Sequence, residues 1–405
     1  MRILAINCGS ATLKFHVVEV GRGVGLPLKG LVASGKVDRI GQRAAIELTG
    51  EDGNVIRQEN APAPDHSAAA RLVLDWLDQA GNFRDIDAVG HRVVHGGDLF
   101  REPSLIDDRV LRAIERAAGL APLHNQPSSI AIRAARERLG PDVPMVASFD
   151  TAFHADMPKR AALYALQGDL ARKHGIRRYG FHGLAHRYMS VRFAELHGVP
   201  ATETRLITLQ LGAGCSAAAV SGGRSIDTTM GFTPLEGLMM ATRSGDVDPS
   251  LPAFLASAEG LSMAEIGDLL NARSGLLGVS GRSADMRDLL AAEREGDGEA
   301  TLAIEMFCYR VRKCVGAYLA VLGGAEAVVF GGGIGENVPE VREYACSGLE
   351  WAGLKIDPQR NFQVVGAEAR ISTDDSKLHA YVIPVHEETI IARDTFDCLS
   401  SPSSA

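Results

Sequence analysis

Four short, mostly apolar runs in this chain stop abruptly at glycine or small polar residues, and this punctuation narrows the possible folds more than any other feature. Ile3–Ile6 runs into Asn7-Cys8-Gly9-Ser10-Ala11-Thr12, and Met145–Phe149 runs into Asp150-Thr151. Leu206–Leu211 runs into Gly212-Ala213-Gly214, and Ala327–Phe330 into Gly331-Gly332-Gly333-Ile334-Gly335. Runs of this length bounded by glycine suit interior strands. Between them lie stretches with helical spacing: Asp107–Ala118, Ser129–Arg138, Ser262–Asn271, and Thr301–Leu322 before Gly323-Gly324. Interior strands alternating with helices predict an α/β fold, in which ligands gather beyond the carboxyl ends of strands.

The first and third of these runs share a pattern. Ile3–Ser10 is followed by a strand-like Leu13–Val20, and Ile207–Gly214 by Ser216–Val220, Gly222-Gly223 and Ser225–Thr229. Each reads as a strand, a glycine turn and a returning strand. A chain of 405 residues is also too long for one ordinary core. Length and pattern together predict two related α/β halves with a cleft between them.

Composition excludes several classes. The formal net charge is −8 and the basic residues are dispersed, so no nucleic-acid surface is expected. The cysteines, Cys8, Cys215, Cys308, Cys314, Cys346 and Cys398, form no CxxC pair; free thiols in a reducing compartment are expected, and no structural zinc. Ile3–Ile6 is too short for a signal-peptide core, and the apolar tract Val315–Gly335 is interrupted by Glu326 and glycines. A cytoplasmic location without membrane attachment follows as the expectation.

The punctuated loops carry chemistry suited to phosphate. Two glycine turns facing one another would surround a polyphosphate with backbone N–H groups, with Ser10, Thr12 and Lys14 adding donors; packing turns are the alternative for each loop alone. No Walker A sequence is present. Asp150 directly follows a strand, where it either orients a nucleophile or magnesium, or caps a helix. In His91-Arg92-Val93-Val94, strand alternation puts Arg92 and Val94 on one face, a guanidinium for a carboxylate beside an apolar wall for a short alkyl group. Arg243 is a second candidate for the charge of a transferred phosphoryl group; surface ion pairing is the alternative for either arginine. His182 and His186 lie four apart, but Gly183 and the lack of an acidic partner argue against zinc. His182 is read as a donor to a phosphoryl oxygen, and His186 as a structural histidine. Glu387 and Glu388 hold magnesium or form a surface pair.

These residues and their surroundings resemble the acetate kinases, the acetokinase branch of the actin-like ATPase and sugar kinase superfamily. The resemblance runs from Arg2 to about Arg393 and rests on Asn7-Cys8-Gly9-Ser10, Gly90–Gly97, Ala121–Asn125, Phe149–His154, Arg178–His182, Met230–Thr242, Ser274–Arg287 and Gly333–Asn337. It implies duplicated ribonuclease-H-like (actin-like ATPase) domains with an interdomain cleft. Residues 1–149 with 384–405 would form the first domain, and 150–383 the second, nucleotide-binding one. It implies a homodimer that reversibly transfers the γ-phosphate of ATP to acetate, giving acetyl phosphate and ADP, with Mg2+ (or Mn2+) and with propionate as a side substrate. By position Asn7 and Glu387 resemble the metal-associated residues. Ser10, Thr12 and Lys14 match the first phosphate loop, and Gln210, Leu211, Gly212, Ala213 and Gly214 the second. Arg92, Arg243, Asp150 and His182 match the catalytic residues. Asp285, Met286 and Arg287 match nucleotide contacts, Gly333, Ile334, Gly335, Glu336 and Asn337 the adenosine loop, and Val94, Leu123, Phe181 and Pro234 the pocket for the methyl group.

The chain departs from the family pattern in its second phosphate loop, where Gln210 replaces the usual histidine and Ala213 the usual asparagine. Ala11 and Thr12 replace serines, Leu184-Ala185 replaces Thr-Ser, and Val385-His386 replaces Thr-Asn. Glutamine still donates a hydrogen bond but carries no proton charge, so Gln210 takes the histidine's place among the catalytic candidates and His386 is a candidate substitute for it. Two other readings follow from these departures: a kinase of the same family with another short acid or phosphoryl donor, and a catalytically weak nucleotide-binding paralogue.

Overall fold

The structure is a computed structural model and describes residues 1–9, 12–21, 25, 30–41, 43–81, 85–117 and 122–400. The chain divides into two units, one of residues 1–155 joined by the segment from His386 onward, the other Asp156–Val385.

The first unit is built on β1 (Arg2–Cys8), β2 (Thr12–Glu19), β3 (Leu31–Asp38), β4 (Arg43–Gly50), β5 (Val55–Pro62), β6 (Ala88–Val93), β7 (Ser104–Leu105) and β8 (Met145–Phe149), in the order β5-β4-β3-β2-β1-β6-β8-β7. β1 runs antiparallel to β2, with Asn7 opposite Lys14, and parallel to β6, with Ile6 opposite His91. β6 and β8 are also parallel, with Arg92 opposite Ser148. This register brings Asn7, Arg92 and Asp150 to the same end of three neighbouring strands. Asn7 and Cys8 are the last residues of β1, so the strand runs further than its apolar stretch suggested. One face of the sheet packs Leu4, Ile6, Leu13 and Phe15 against Leu74, Ile114 and Ile132. On β6, a Cβ added to Gly90 would sit 2.3 Å from Thr395 Oγ1 and 2.6 Å from Ile391 Cγ2, so only glycine lets the helix Glu387–Ser400 lie this close.

The second unit holds β9 (Arg205–Leu211), β10 (Cys215–Ser221), β11 (Arg224–Thr228), β12 (Ala327–Gly331), β13 (Ala369–Arg370) and β14 (His379–Val382), in the order β11-β10-β9-β12-β14-β13. Its core β11-β10-β9-β12-β14 matches β3-β2-β1-β6-β8 of the first sheet in order and in strand direction. The strand–turn–strand similarity read from the sequence is therefore a duplication of the whole sheet core.

The helices follow local signals. Asp107 accepts from Val110 N at 2.6 Å at the start of Asp108–Ala117, and Ser262 and Glu265 form a reciprocal capping box before Met263–Ala272. Gly298–Leu322 ends at Gly323 in the left-handed region, φ 65°. The helix expected over 129–138 begins earlier, spanning Pro122–Leu139. Its buried positions include Asn125 and Ser128, polar residues that hide the apolar stripe from a periodicity reading.

Candidate active site

In the first unit the strand ends converge on Arg92. Its Nε donates to Asp150 Oδ1 at 3.1 Å and its Nη2 to Asp150 Oδ2 at 2.7 Å, a two-pronged pair, while Nη1 donates to Asn7 Oδ1 at 3.0 Å. Asn7 in turn donates through Nδ2 to Glu387 Oε2 at 2.7 Å and Glu388 Oε1 at 2.9 Å. Burial opposes the charge on Arg92, but Asp150 and Glu387 outweigh it and raise the guanidinium pKa. Burial also raises Glu387 above the usual carboxylate range, against the pull of Arg92. It works the same way on Glu388, but His16 and Lys14 prevail and hold that carboxyl low.

Arg92 is held in place by residues on either side. After β6 the chain continues through Val94, which is buried, to His95, whose backbone is clamped by Asn125: His95 N donates to Asn125 Oδ1 at 2.9 Å and Asn125 Nδ2 donates to His95 O at 2.8 Å. Gly96 N donates to Thr151 Oγ1 at 2.9 Å, tying this loop to the turn that carries Asp150. Thr12 and Lys14 share one face of β2, opposite the buried Leu13 and Phe15. Ser10 lies outside the described residues, as does the side chain of Leu123.

In the second unit the cluster forms around the turn between β9 and β10. A Cβ on Gly214 would lie 3.4 Å from His182 Cε1 and 3.5 Å from both His182 Nε2 and Arg243 Nη1, so this glycine separates the histidine from the guanidinium. His182 stands at φ 57° just before the helix Gly183–His197. Only it and Arg39 depart from negative φ among the described non-glycine residues. Arg243 Nη1 donates to Pro234 O at 3.1 Å, and burial lowers the Arg243 pKa. Ala241 N donates to Ala213 O at 3.1 Å, and Leu276 N and Leu277 N donate to Met240 O and Ala241 O, stitching the glycine turn to the segment that carries Arg243. Phe181 is buried beside this region. The Pro234 segment is pinned by Glu236, which accepts from Arg178 Nη2 at 2.6 Å and from the Tyr164 hydroxyl.

Gln210 sits between Ser216 on β10 and Gly331 on β12. Its Oε1 is buried and makes no hydrogen bond among the described residues, lying beside Gly331 near Met189 and Val385. The stretch read as an adenosine loop forms a short helix, Gly332–Asn337. Gly332 takes φ 78°, and a Cβ there would meet Leu211 O at 2.6 Å, so the chain turns from strand to helix only because this residue is glycine. Glu336 Oε1 accepts from Gly332 N at 2.7 Å and Val385 N at 3.0 Å, and Asn337 Nδ2 donates to Gly333 O at 2.9 Å. Asp285 caps the helix Met286–Arg294 and pairs with the exposed Arg287, while the Met286 side chain is buried.

The structure adds residues that periodicity did not single out. Glu388 is buried beside Asn7, although either it or Glu387 read equally well as part of a surface pair. Ser216 and Thr208 bond to the rings of His182 and His186. Their signal was the strand alternation that turns Thr208, Gln210 and Ser216 inward. Cys8 and Cys215 lie next to these clusters, but burial pushes both thiols up to about 12, which removes them as nucleophiles. No group of three or more His, Cys, Asp or Glu side chains is arranged to hold a metal among the described residues, and no helix among them is long and apolar enough to cross a membrane.

Two sheets of one order, with polar and glycine-rich turns at the ends of their parallel strands, define a duplicated α/β protein consistent with the actin-like ATPase superfamily. The acetokinase family model matches residues 2–393, and the chain belongs to that family. It is 48% identical over 408 residues to a Solibacter usitatus acetate kinase, covering 98% of each chain. Among solved structures it is similar to Porphyromonas gingivalis acetate kinase, with 41% identity, a TM-score of 0.87 and coverage of 98% and 100%. It is also similar to a propionate kinase from Francisella tularensis, with 38% identity, the same TM-score and coverage of 98% and 99%.

Proposed function

We propose that this protein is an acetate kinase: it transfers the γ-phosphate of ATP to acetate, reversibly, giving acetyl phosphate and ADP. The observation that carries the reading is the Arg92–Asp150 pair. A guanidinium has five N–H donors; three serve Asp150 and Asn7, and Nη1 also faces Glu387 Oε2 at 3.5 Å, so the second N–H of Nη2 is the donor assigned to an anion. Asp150 keeps the guanidinium from rotating, and the buried Val94, two residues further along the chain, supplies an apolar wall for a methyl group. In this reading Leu123, Phe181 and Pro234 are the further apolar residues assigned to the methyl group.

Arg92 and Asp150 of the first unit and Arg243, His182 and Gln210 of the second are the residues assigned to the reaction. In-line transfer spreads negative charge over the equatorial oxygens of the phosphoryl group, and fixed guanidinium donors, joined by His182 when its ring carries a proton at Nε2, stabilise it. Ser10, Thr12 and Lys14, and the turn Leu211–Gly214, are assigned to the polyphosphate, and Asp285, Arg287 and Gly333–Asn337 to the nucleoside. Mg2+ neutralises phosphate charge when bound. Glu387 and Asn7 offer the hard oxygen donors it prefers, few enough that phosphates and water complete its shell. A cytoplasmic homodimer is the form in which this family arrangement is proposed to work.

Propionate enters to a lesser degree, because an apolar pocket discriminates by only about 1–3 kcal/mol per methylene; the likeness to a propionate kinase supports this. The test crosses acetate, propionate, butyrate and formate with ATP, GTP and pyrophosphate in the presence of Mg2+, trapping acyl phosphate with hydroxylamine. Acetate with ATP is expected to give the highest kcat/KM. Preference for another acid or donor would favour the altered-specificity reading, and nucleotide binding without acyl phosphate would favour the inactive one.

A further inference from the structure

The rings of His182 and His186 are joined by two buried hydroxyls. His182 Nδ1 lies 2.9 Å from Ser216 Oγ, Ser216 Oγ lies 2.8 Å from His186 Nε2, and His186 Nδ1 lies 2.8 Å from Thr208 Oγ1. Thr208 Oγ1 also faces Ala218 O at 3.5 Å. His186, Ser216 and Thr208 are fully buried, so water does not substitute for any member.

A hydroxyl has a single proton, which gives this chain a direction. Ala218 O accepts only, and assigning the Thr208 proton to it makes the Thr208 oxygen the acceptor for His186 Nδ1–H. The neutral His186 ring is then bare at Nε2 and accepts the proton of Ser216. Ser216 has none left for His182, so its oxygen accepts from His182 Nδ1–H. We propose that Thr208, His186 and Ser216 form an orienting relay that keeps His182 protonated at Nδ1, leaving Nε2, the atom turned toward Gly214 and Arg243, as the only ring position where protonation changes. The helix sets the ring spacing, since residues four apart share a face, and the left-handed backbone of His182 brings its ring to the same hydroxyl as His186. These three are positioning residues: none touches substrate in this scheme. Their effect on turnover rests on the proposed role of His182, whereas the tautomer does not.

The test uses the full-length protein with 15N-labelled histidine and reads the His182 tautomer from long-range 1H–15N couplings at a pH where the ring is neutral. The wild type is expected to show Nδ1–H. Thr208→Val keeps the shape but removes the acceptor for His186 Nδ1–H. His186 then moves its proton to Nε2, Ser216 turns its own toward His182, and His182 is expected to switch to Nε2–H from two groups away. Thr208→Ser is expected to restore the wild-type spectrum. If the valine variant does not fold, Ser216→Ala serves instead and is expected to abolish the Nδ1–H preference. In Thr208→Val, acyl phosphate formation is expected to fall about tenfold with the KM for ATP within about threefold. An Nε2–H tautomer in the wild type, or a His182 tautomer unmoved by Thr208→Val, overturns the relay. A switched tautomer with unchanged turnover upholds the relay and removes His182 from the reaction.

Discussion

Arg92 and Asp150 meet through two parallel hydrogen bonds, Nε to Oδ1 at 3.1 Å and Nη2 to Oδ2 at 2.7 Å, with the carboxylate fully buried. Breaking a buried pair by removing one partner costs about 3–5 kcal/mol, because the other charge stays behind. Asp150→Ala is therefore expected to lower the urea midpoint. Asp150→Asn, which keeps the shape and loses the charge, is expected to fold and to lose acyl phosphate formation by about 100-fold or more. An Asn variant with near wild-type turnover would leave the pair a structural feature only.

Two glycines of the second unit separate function from folding. At Gly214 an added methyl would meet His182 and Arg243 only at ordinary contact distance, 3.4–3.5 Å. Gly214→Ala is expected to keep its melting temperature within a degree or two, yet to lose about tenfold or more in kcat because the methyl fills the gap between the two side chains. At Gly332 the positive φ and the 2.6 Å approach to Leu211 O demand glycine. Gly332→Ala is expected to destabilise by about 1–3 kcal/mol as well. Equal melting curves for the two variants would contradict this division.

Gln210 holds a carbonyl oxygen that is buried without a hydrogen bond among the described residues. Such a group costs about 1–3 kcal/mol. Gln210→Met, similar in length and without that oxygen, is expected to be more stable than wild type by about 1 kcal/mol. If the amide serves the phosphoryl group, the same variant is expected to turn over more slowly. Thermal denaturation and the hydroxylamine assay on one preparation check both, and a variant less stable than wild type would refute the first.

Acid should weaken the first unit through two buried imidazoles. Burial lowers His91 to about 3 and His95 to about 4, from an ordinary value of 6.5. Gly97 N donates to His95 Nδ1 at 2.9 Å, a bond that only the neutral ring accepts. Between those values the unfolded chain binds more protons than the folded one. Stability is thus complete above about pH 6.5 and falls as pH drops toward 3, each ring contributing up to about 1.4 kcal/mol per pH unit. His91→Gln is expected to flatten the dependence of unfolding free energy on pH between 6.5 and 4.5, measured by urea titration. An unchanged slope would mean that His91 does not titrate this way.

Much of the molecule was legible in residue order because its signals are local. The strand ends before Asp150 and Gly212 are marked by the residues themselves, β1 and β12 run one or two residues past their apolar stretches to Cys8 and Gly331, and Ser262 with Glu265 marks a helix start. The helix at Pro122–Leu139 was only partly legible, since Asn125 faces inward to clamp a loop 30 residues away in the chain, a purpose no periodicity carries. The sequence by itself determined which groups were available: a guanidinium beside an apolar wall, glycines for close approach, and a glutamine in the place of a histidine. Tertiary structure alone decided that Asn7 should join Arg92 to Glu387 and Glu388 across some 380 residues, and that two histidines should share one serine. Strand register and helix placement set those distances, and neither is fixed until the whole sheet has closed around its core.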